Sequence, residues 1–159
     1  MIDKLTHLER IARLSGAYSI PSADLESEAL HPFDKLNIHP LIVDVCKKLF
    51  DDGHYSQSTF EAFKLIDRTV ASLSNVKKSG FKLMLEVFHE KEPKIRLTNL
   101  SNESEIDEQK GYAFLFAGSL MGIRNPRGHL VGNLDTIDLC LDHLALASSL
   151  MRRLDGRVK

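Results

Sequence analysis

Tryptophan is absent and aromatic residues make up only 7% of the 159 positions, too few for a platform on which single-stranded bases stack. Cys46 and Cys140 are the only cysteines and stand far apart, which excludes a disulfide framework and a CxxC metal knuckle. No apolar run approaches the roughly 18 residues that a membrane span requires. Residues 1–13 interleave Asp3, Lys4, Glu9 and Arg10 with their apolar side chains, unlike the apolar centre of a secretory leader. A cytoplasmic chain with no membrane contact is expected. Neither sign of charge is in excess: 21 basic against 22 acidic residues leave a net charge of −1. The molecule as a whole therefore exerts no long-range pull on nucleic acid, and an RNA site has to be a local patch. His7, His31, His89 and His143 are scattered without ligand spacing, so no metal and no cofactor is expected.

What is present is helical periodicity. Strict two-residue alternation is nearly missing, there is no internal repeat, and apolar residues recur at i, i+3 and i+4, which predicts an all-α protein of one domain. Leu5, Leu8, Ile11 and Ala12 mark a short helix stopped by Gly16, and residues 18–38, with Pro21 and Pro32, read as a connector. Residues 1–38 are thus an N-terminal helix and connector, and residues 39–159 the bundle. Pro40 suits the first position of a helix, and Ile42, Val45, Cys46, Leu49 and Phe50 form its stripe, closed by Asp52 and Gly53. Phe60, Phe63, Ile66, Val70 and Leu73 mark a second helix, antiparallel to the first because the turn is short. Phe81, Met84, Leu85 and Phe88 mark a shorter one, followed by a loop over residues 94–105. Residues 106–123 are the most apolar stretch, and Gly118 and Gly122, one turn apart, suit a central helix approached closely by a neighbour. The last helix is expected to start near Asn133 or Asp135 and to bury Ile137, Cys140, Leu144, Met151 and Leu154. Four long helices and shorter ones make a bundle.

Between the last two helices lies Gly122-Ile123-Arg124-Asn125-Pro126-Arg127-Gly128-His129. On a straight helix Arg124 and His129 would leave the axis roughly 140° apart. Pro126 and Gly128 predict a kink that would bring both to one mouth. A guanidinium that grips phosphate through two parallel hydrogen bonds, beside an imidazole that moves a proton, is a minimal kit for cleaving RNA, whose 2′-OH is the internal nucleophile. A helix-ending Arg and a solvated loop His are the bland alternative for the same residues. Arg127 is the best further candidate for a phosphate contact. His54, Tyr55 and Glu61, at the start of the second helix, are candidates for lining the mouth, against the alternatives of capping, packing and pairing with Lys64 or Lys110. Lys77, Lys78, Lys82, Lys91, Lys94 and Arg96 form a basic stretch that could track an RNA backbone or simply be solvated.

An all-α bundle with Arg-Asn and then His at this spacing, just before a final helix, resembles the HEPN superfamily. It is more closely similar to the Ymh branch in His39-Pro40-Leu41-Ile42, Phe50-Asp51-Asp52-Gly53-His54-Tyr55, Phe60-Glu61-Ala62-Phe63-Lys64, Asp107-Glu108-Gln109-Lys110-Gly111-Tyr112, Phe116-Ala117-Gly118, Gly122-Ile123-Arg124-Asn125-Pro126 and residues 145–155. The likeness implies a HEPN-like four-helix bundle and a metal-independent endoribonuclease of the toxin or antiviral-defence kind, with Arg124, Asn125 and His129 as the catalytic group. It also implies a homodimer whose two motifs form a composite site, RNA as substrate, and an antitoxin or other defence-system protein as partner. Gly128 stands where many members carry Ala, and Val131 where some carry a Tyr that receives AMP. The likeness equally allows a bundle without catalysis that binds nucleotide or protein.

Overall fold

The computed structural model describes residues 30–129 and 135–158; the expected helix around Leu5, and residues Val131 and Asn133, lie outside them. The described residues are helical throughout, with no strand. The connector does more than connect: α1 (Pro32–Lys35) and the turn after it bury Phe33 and Ile38, with the Phe33 ring 5.0 Å from that of Phe50. These two apolar residues, in a segment without helical period, anchor the chain ahead of the first long helix.

In α2 (Pro40–Asp51) Pro40 occupies the first turn, where its missing N–H leaves no gap in the ladder. His39 is the N-cap, its Nδ1 accepting from the Leu41 N–H at 3.2 Å, while its Nε2 meets Asp155 Oδ2 at 2.8 Å. Since Nδ1 accepts, the ring proton sits on Nε2 and points at the carboxylate. Ile42, Cys46 and Phe50 are buried, but Val45, expected in the core, is exposed. The stripe that closes on the core is narrower than the periodicity suggested.

A tight turn through Gly53, with φ +79, leads into α3 (Tyr55–Ser74). This helix, rather than the apolar stretch after residue 106, is the central one: it packs against α2, α4 (Gly80–Val87), the segment carrying Arg124, and α7 (Ile137–Asp155). Its Ala62, Phe63, Ile66 and Val70 meet Leu83, Met84 and Val87 of α4 and Leu144, Ala147 and Met151 of α7 in one core. α5 (Glu103–Ser119) begins at the N-cap Asn102, whose Oδ1 accepts from the Glu105 N–H. Buried Gln109 accepts from Leu97 N and donates to the Phe88 and Ile95 carbonyls, so one amide fastens the preceding loop to α5. Phe116 stacks on Phe88 at 4.6 Å. Gly111, Gly118 and Gly122 have no atom within 4 Å of where a Cβ would stand. Among the described residues no other element approaches them, and Phe114, Leu115 and Met121 beside them are exposed.

The segment in which a kink is expected stays helical. α5 passes into a π-helical turn (Leu120–Arg124), in which the Asn125 N–H reaches back to the Leu120 carbonyl, and then into α6 (Asn125–His129). Pro126 accounts for the π turn: in an unbroken α-helix its ring would collide with the carbonyl of Gly122, and the widened turn makes room. The N-cap of α7 is Thr136, one residue beyond the candidate Asp135, which is instead buried in an ion pair.

Candidate functional site

Arg124 ends the π turn with its side chain 26% exposed. Phe60, Lys64 and Asp67 are spaced one and two turns apart on α3 and so share a face, and that face meets Arg124. The Arg124 guanidinium carbon lies 5.6 Å from the Phe60 ring centre, and Nη2 lies 3.7 Å from Asp67 Oδ2. Nη1 donates to Asn125 Oδ1 at 3.2 Å, and the buried Nε–H has no hydrogen-bond partner among the described residues. Lys64 Nζ is 5.5 Å from the same ring and is paired with Glu61 at 2.9 Å. Phe60, expected in the core, is therefore a half-exposed floor beneath two cations, where the ring's negative face attracts them.

His129 is exposed at the end of α6. Because residues 125–129 are α-helical, the side chains of Arg124 and His129 leave this stretch in directions roughly 140° apart. Within one chain the structure holds Arg124 and Asn125 together and leaves His129 turned away from them.

Arg127, expected to contact phosphate, is engaged within the fold. Its Nε donates to both Asp135 oxygens at 2.8 and 3.0 Å, Nη2 joins Asp135 Oδ1, and Nη1 donates to the Ile123 carbonyl at 2.7 Å. Asp135 also accepts from Thr59 Oγ1 at 2.7 Å, and its backbone N–H donates to Ser56 Oγ. Burial pushes the Asp135 carboxyl up, but the hydrogen bonds of Arg127 and Thr59 and the charges of Arg127 and His143 outweigh it, and it sits below the usual range. Burial, then the Arg127 charge, hold His143 below its ordinary value. A guanidinium only donates, so His143 Nδ1, 3.2 Å from Arg127 Nη2, is the acceptor of a neutral ring. Most of this fork is taken up within the fold: Arg127 is a strut that ties α6 to the start of α7 across α3.

Tyr55 packs edge-on against Phe50 at 5.2 Å, and Glu61 accepts from Gln57 and Lys64. His54 precedes α3 without a side-chain capping bond and is exposed, about 9 Å along the helix axis from Phe60. None of these three is brought to Arg124 by a contact among the described residues. In the basic stretch, Lys78 and Lys94 both engage Glu86, and their hydrogen bonds hold its carboxyl down at about 2. The shallow cavity that Lys94 lines with Glu86, His89, Lys91 and Glu92, about 430 Å³, has no Arg124 side chain in its wall. Burial pushes the Cys46 thiol up to about 12 and raises that of Cys140, so neither supplies a thiolate nucleophile. Among the described residues no three His, Cys, Asp or Glu converge at metal-binding spacing.

Sequence reasoning missed Asp67. It is an acidic residue inside the apolar spacing, four residues after Phe63 and three before Val70, and only the packing of α3 against the π turn reveals that it faces Arg124. No curated protein and no solved structure matches the chain. The family profile described as a protein of unknown function, Hypoth_ymh, matches residues 36–154, a span that contains every residue around Arg124 named above, and the chain belongs to that family.

Proposed function

We propose that this protein is a metal-independent endoribonuclease acting as a toxin or antiviral-defence effector, with Arg124, Asn125 and His129 forming half of a site that a second copy completes. The observation that carries this reading is the treatment of the two neighbouring arginines: Arg127 is consumed by Asp135, whereas Arg124 is propped on Phe60 with part of its guanidinium open to solvent. An arginine kept partly exposed and restrained at a helix junction suits a phosphate ligand. The similarity of the motif to HEPN proteins supports the same reading.

The 140° divergence of Arg124 and His129 makes one chain insufficient. A twofold arrangement brings the His129 of each copy toward the Arg124 of the other. The surface for it continues from the same helix, where Phe114, Leu115 and Met121 stand exposed beside Gly111, Gly118 and Gly122, whose missing side chains would meet nothing among the described residues. Large apolar side chains beside open glycines form a self-complementary face for a twofold contact. One imidazole removes the 2′-OH proton, the oxygen attacks phosphorus, the P–O5′ bond breaks, and the other imidazole delivers a proton to the leaving 5′-oxygen. The products are a 2′,3′-cyclic phosphate and a 5′-OH. Arg124 stabilises the charge gathered on the phosphoryl oxygens, and Asn125 holds Arg124 through the bond to Nη1.

The test is incubation of the full chain with RNA in EDTA. Cleavage leaving 2′,3′-cyclic ends, absent on DNA, is expected, and His129→Ala or Arg124→Ala should lower the rate by about 100- to 10,000-fold. A divalent-metal requirement, or indifference to His129→Ala, would refute the mechanism. RNA or nucleotide binding without cleavage would leave a binding module of the same fold.

A further inference from the structure

Asp67 is a carboxylate only 6% exposed in the middle of α3. Burying such a group is costly unless each oxygen has a task. Oδ1 has one: it accepts from the Gly80 N–H at 2.8 Å, at the point where α4 starts with φ +70. Oδ2 points to the other side and lies 3.7 Å from Arg124 Nη2. We propose that Asp67 is a positioning residue for Arg124, holding the guanidinium by charge between its own Oδ2 and the Phe60 ring so that the fork meets phosphate in one orientation.

The two arginines of this segment show what the distance means. Asp135 takes the Nε and Nη2 edge of the Arg127 fork by direct hydrogen bonds. At 3.7 Å Asp67 lies beyond hydrogen-bond reach of Nη2, so its attraction restrains the guanidinium while the Nη2 N–H groups stay uncommitted. The ring fixes the plane: Phe60 and Asp67 are two turns apart on the same face of α3, and a planar cation lying against both has little freedom left. A restrained guanidinium loses less entropy when it closes on phosphate than a free one. The inference rests on the reading of Arg124 as the phosphate ligand, and it assigns to α3 the orientation of that ligand.

Asp67→Asn separates this role from a structural one, because the amide oxygen still accepts from Gly80 N–H while the charge on Arg124 is lost. In the full chain labelled with nitrogen-15, the Arg124 Nε–H resonance, identified by its disappearance in Arg124→Lys, is expected to shift and narrow toward a mobile side chain in Asp67→Asn and to return in Asp67→Glu. An unchanged resonance in a folded Asp67→Asn protein would overturn the proposal, whether or not the protein cleaves RNA. If Asp67→Asn does not fold, Asp67→Glu against Phe60→Leu gives the same reading: the resonance is retained in the first and mobile in the second, and any other pair of results would overturn it. In the cleavage assay Asp67→Asn should lower kcat/KM by up to about 100-fold, and adding it to Arg124→Ala should cost nothing more. Independent, multiplying losses would show that Asp67 does not act through Arg124. Should the wild-type protein not cleave at all, the nuclease reading fails by itself. The same cycle on affinity for a 2′-O-methyl oligonucleotide then decides, with a loss from Asp67→Asn expected only where Arg124 is present.

Discussion

The ring edge of Phe60 occupies the space that a side chain on residue 128 would need: a Cβ built on Gly128 falls 2.9 Å from Phe60 Cε2. The glycine therefore does not loosen the motif. It admits the ring that supports Arg124, and the backbone at this position is helical. Gly128→Ala should change global stability by less than about 1 kcal/mol, because the gain in helix propensity is set against displacement of a half-exposed ring. The displaced ring no longer floors Arg124, so cleavage should fall while the denaturation midpoint holds. Denaturant titration beside the RNA assay checks this, and a Gly128→Ala protein of full activity would show that the ring has no part in placing Arg124.

Arg127 is predicted to matter for folding rather than for binding. Its removal leaves the Asp135 carboxylate, whose side chain has no exposed surface, with only Thr59 as a side-chain donor. Losing one partner of a buried pair costs about 3–5 kcal/mol. Arg127→Met should lower stability by that order, and Arg127→Lys should recover only part of it, since an ammonium cannot span both oxygens and reach the Ile123 carbonyl. Thermal unfolding is the measurement. A stable Arg127→Met protein with weakened RNA binding would return Arg127 to the role of phosphate ligand.

The helices and the motif were legible in the sequence because both are local. Pro40, the stripe through Ile42, Cys46 and Phe50, and the Arg-Asn-Pro segment need no knowledge of what lies across the bundle. Everything that distinguishes Arg124 from Arg127 is long-range: Asp67 reaches the one from α3, and Asp135 reaches the other from the start of α7. The place of Pro126 was legible, but not its consequence. A proline in a helix can be accommodated by a wider turn, and here a π turn precedes it. Phe33 and Ile38 were missed because anchors in a short turn carry no period.

Stability should fall in two steps on acidification. His143 is held below its ordinary value of 6.5 and Asp135 below 3.8, so in each case the unfolded chain takes up the proton first. The His143 contribution is complete above about 6.5 and declines as pH falls toward its folded value. That of Asp135 is complete above about 3.8 and is lost as pH falls through its own folded value. Exposed Glu86, held at about 2, adds to the lower step only. His143→Gln, which still accepts from Arg127 without gaining charge, should flatten the upper step and leave the lower one. Unfolding midpoints across the pH range would show it, and an upper step unchanged in His143→Gln would assign it to another histidine.

The composite site makes a prediction about mixing. Phe114→Glu places a charge in the middle of the exposed apolar face of α5, far from the core, and should give a folded monomer that no longer cleaves RNA. Arg124→Ala and His129→Ala should each be inactive alone, because in either homodimer one kind of group is missing twice. When the two are mixed and allowed to exchange subunits, the heterodimer carries one Arg124 and one His129, on different chains. If those are the chains that meet at the phosphate, activity should rise well above that of either parent, limited by the absence of the second imidazole. Adding Phe114→Glu to both proteins should abolish the recovery. Exchange proven by mass, with no gain in cleavage, would show that one Arg124 and one His129 on different chains do not suffice for the reaction.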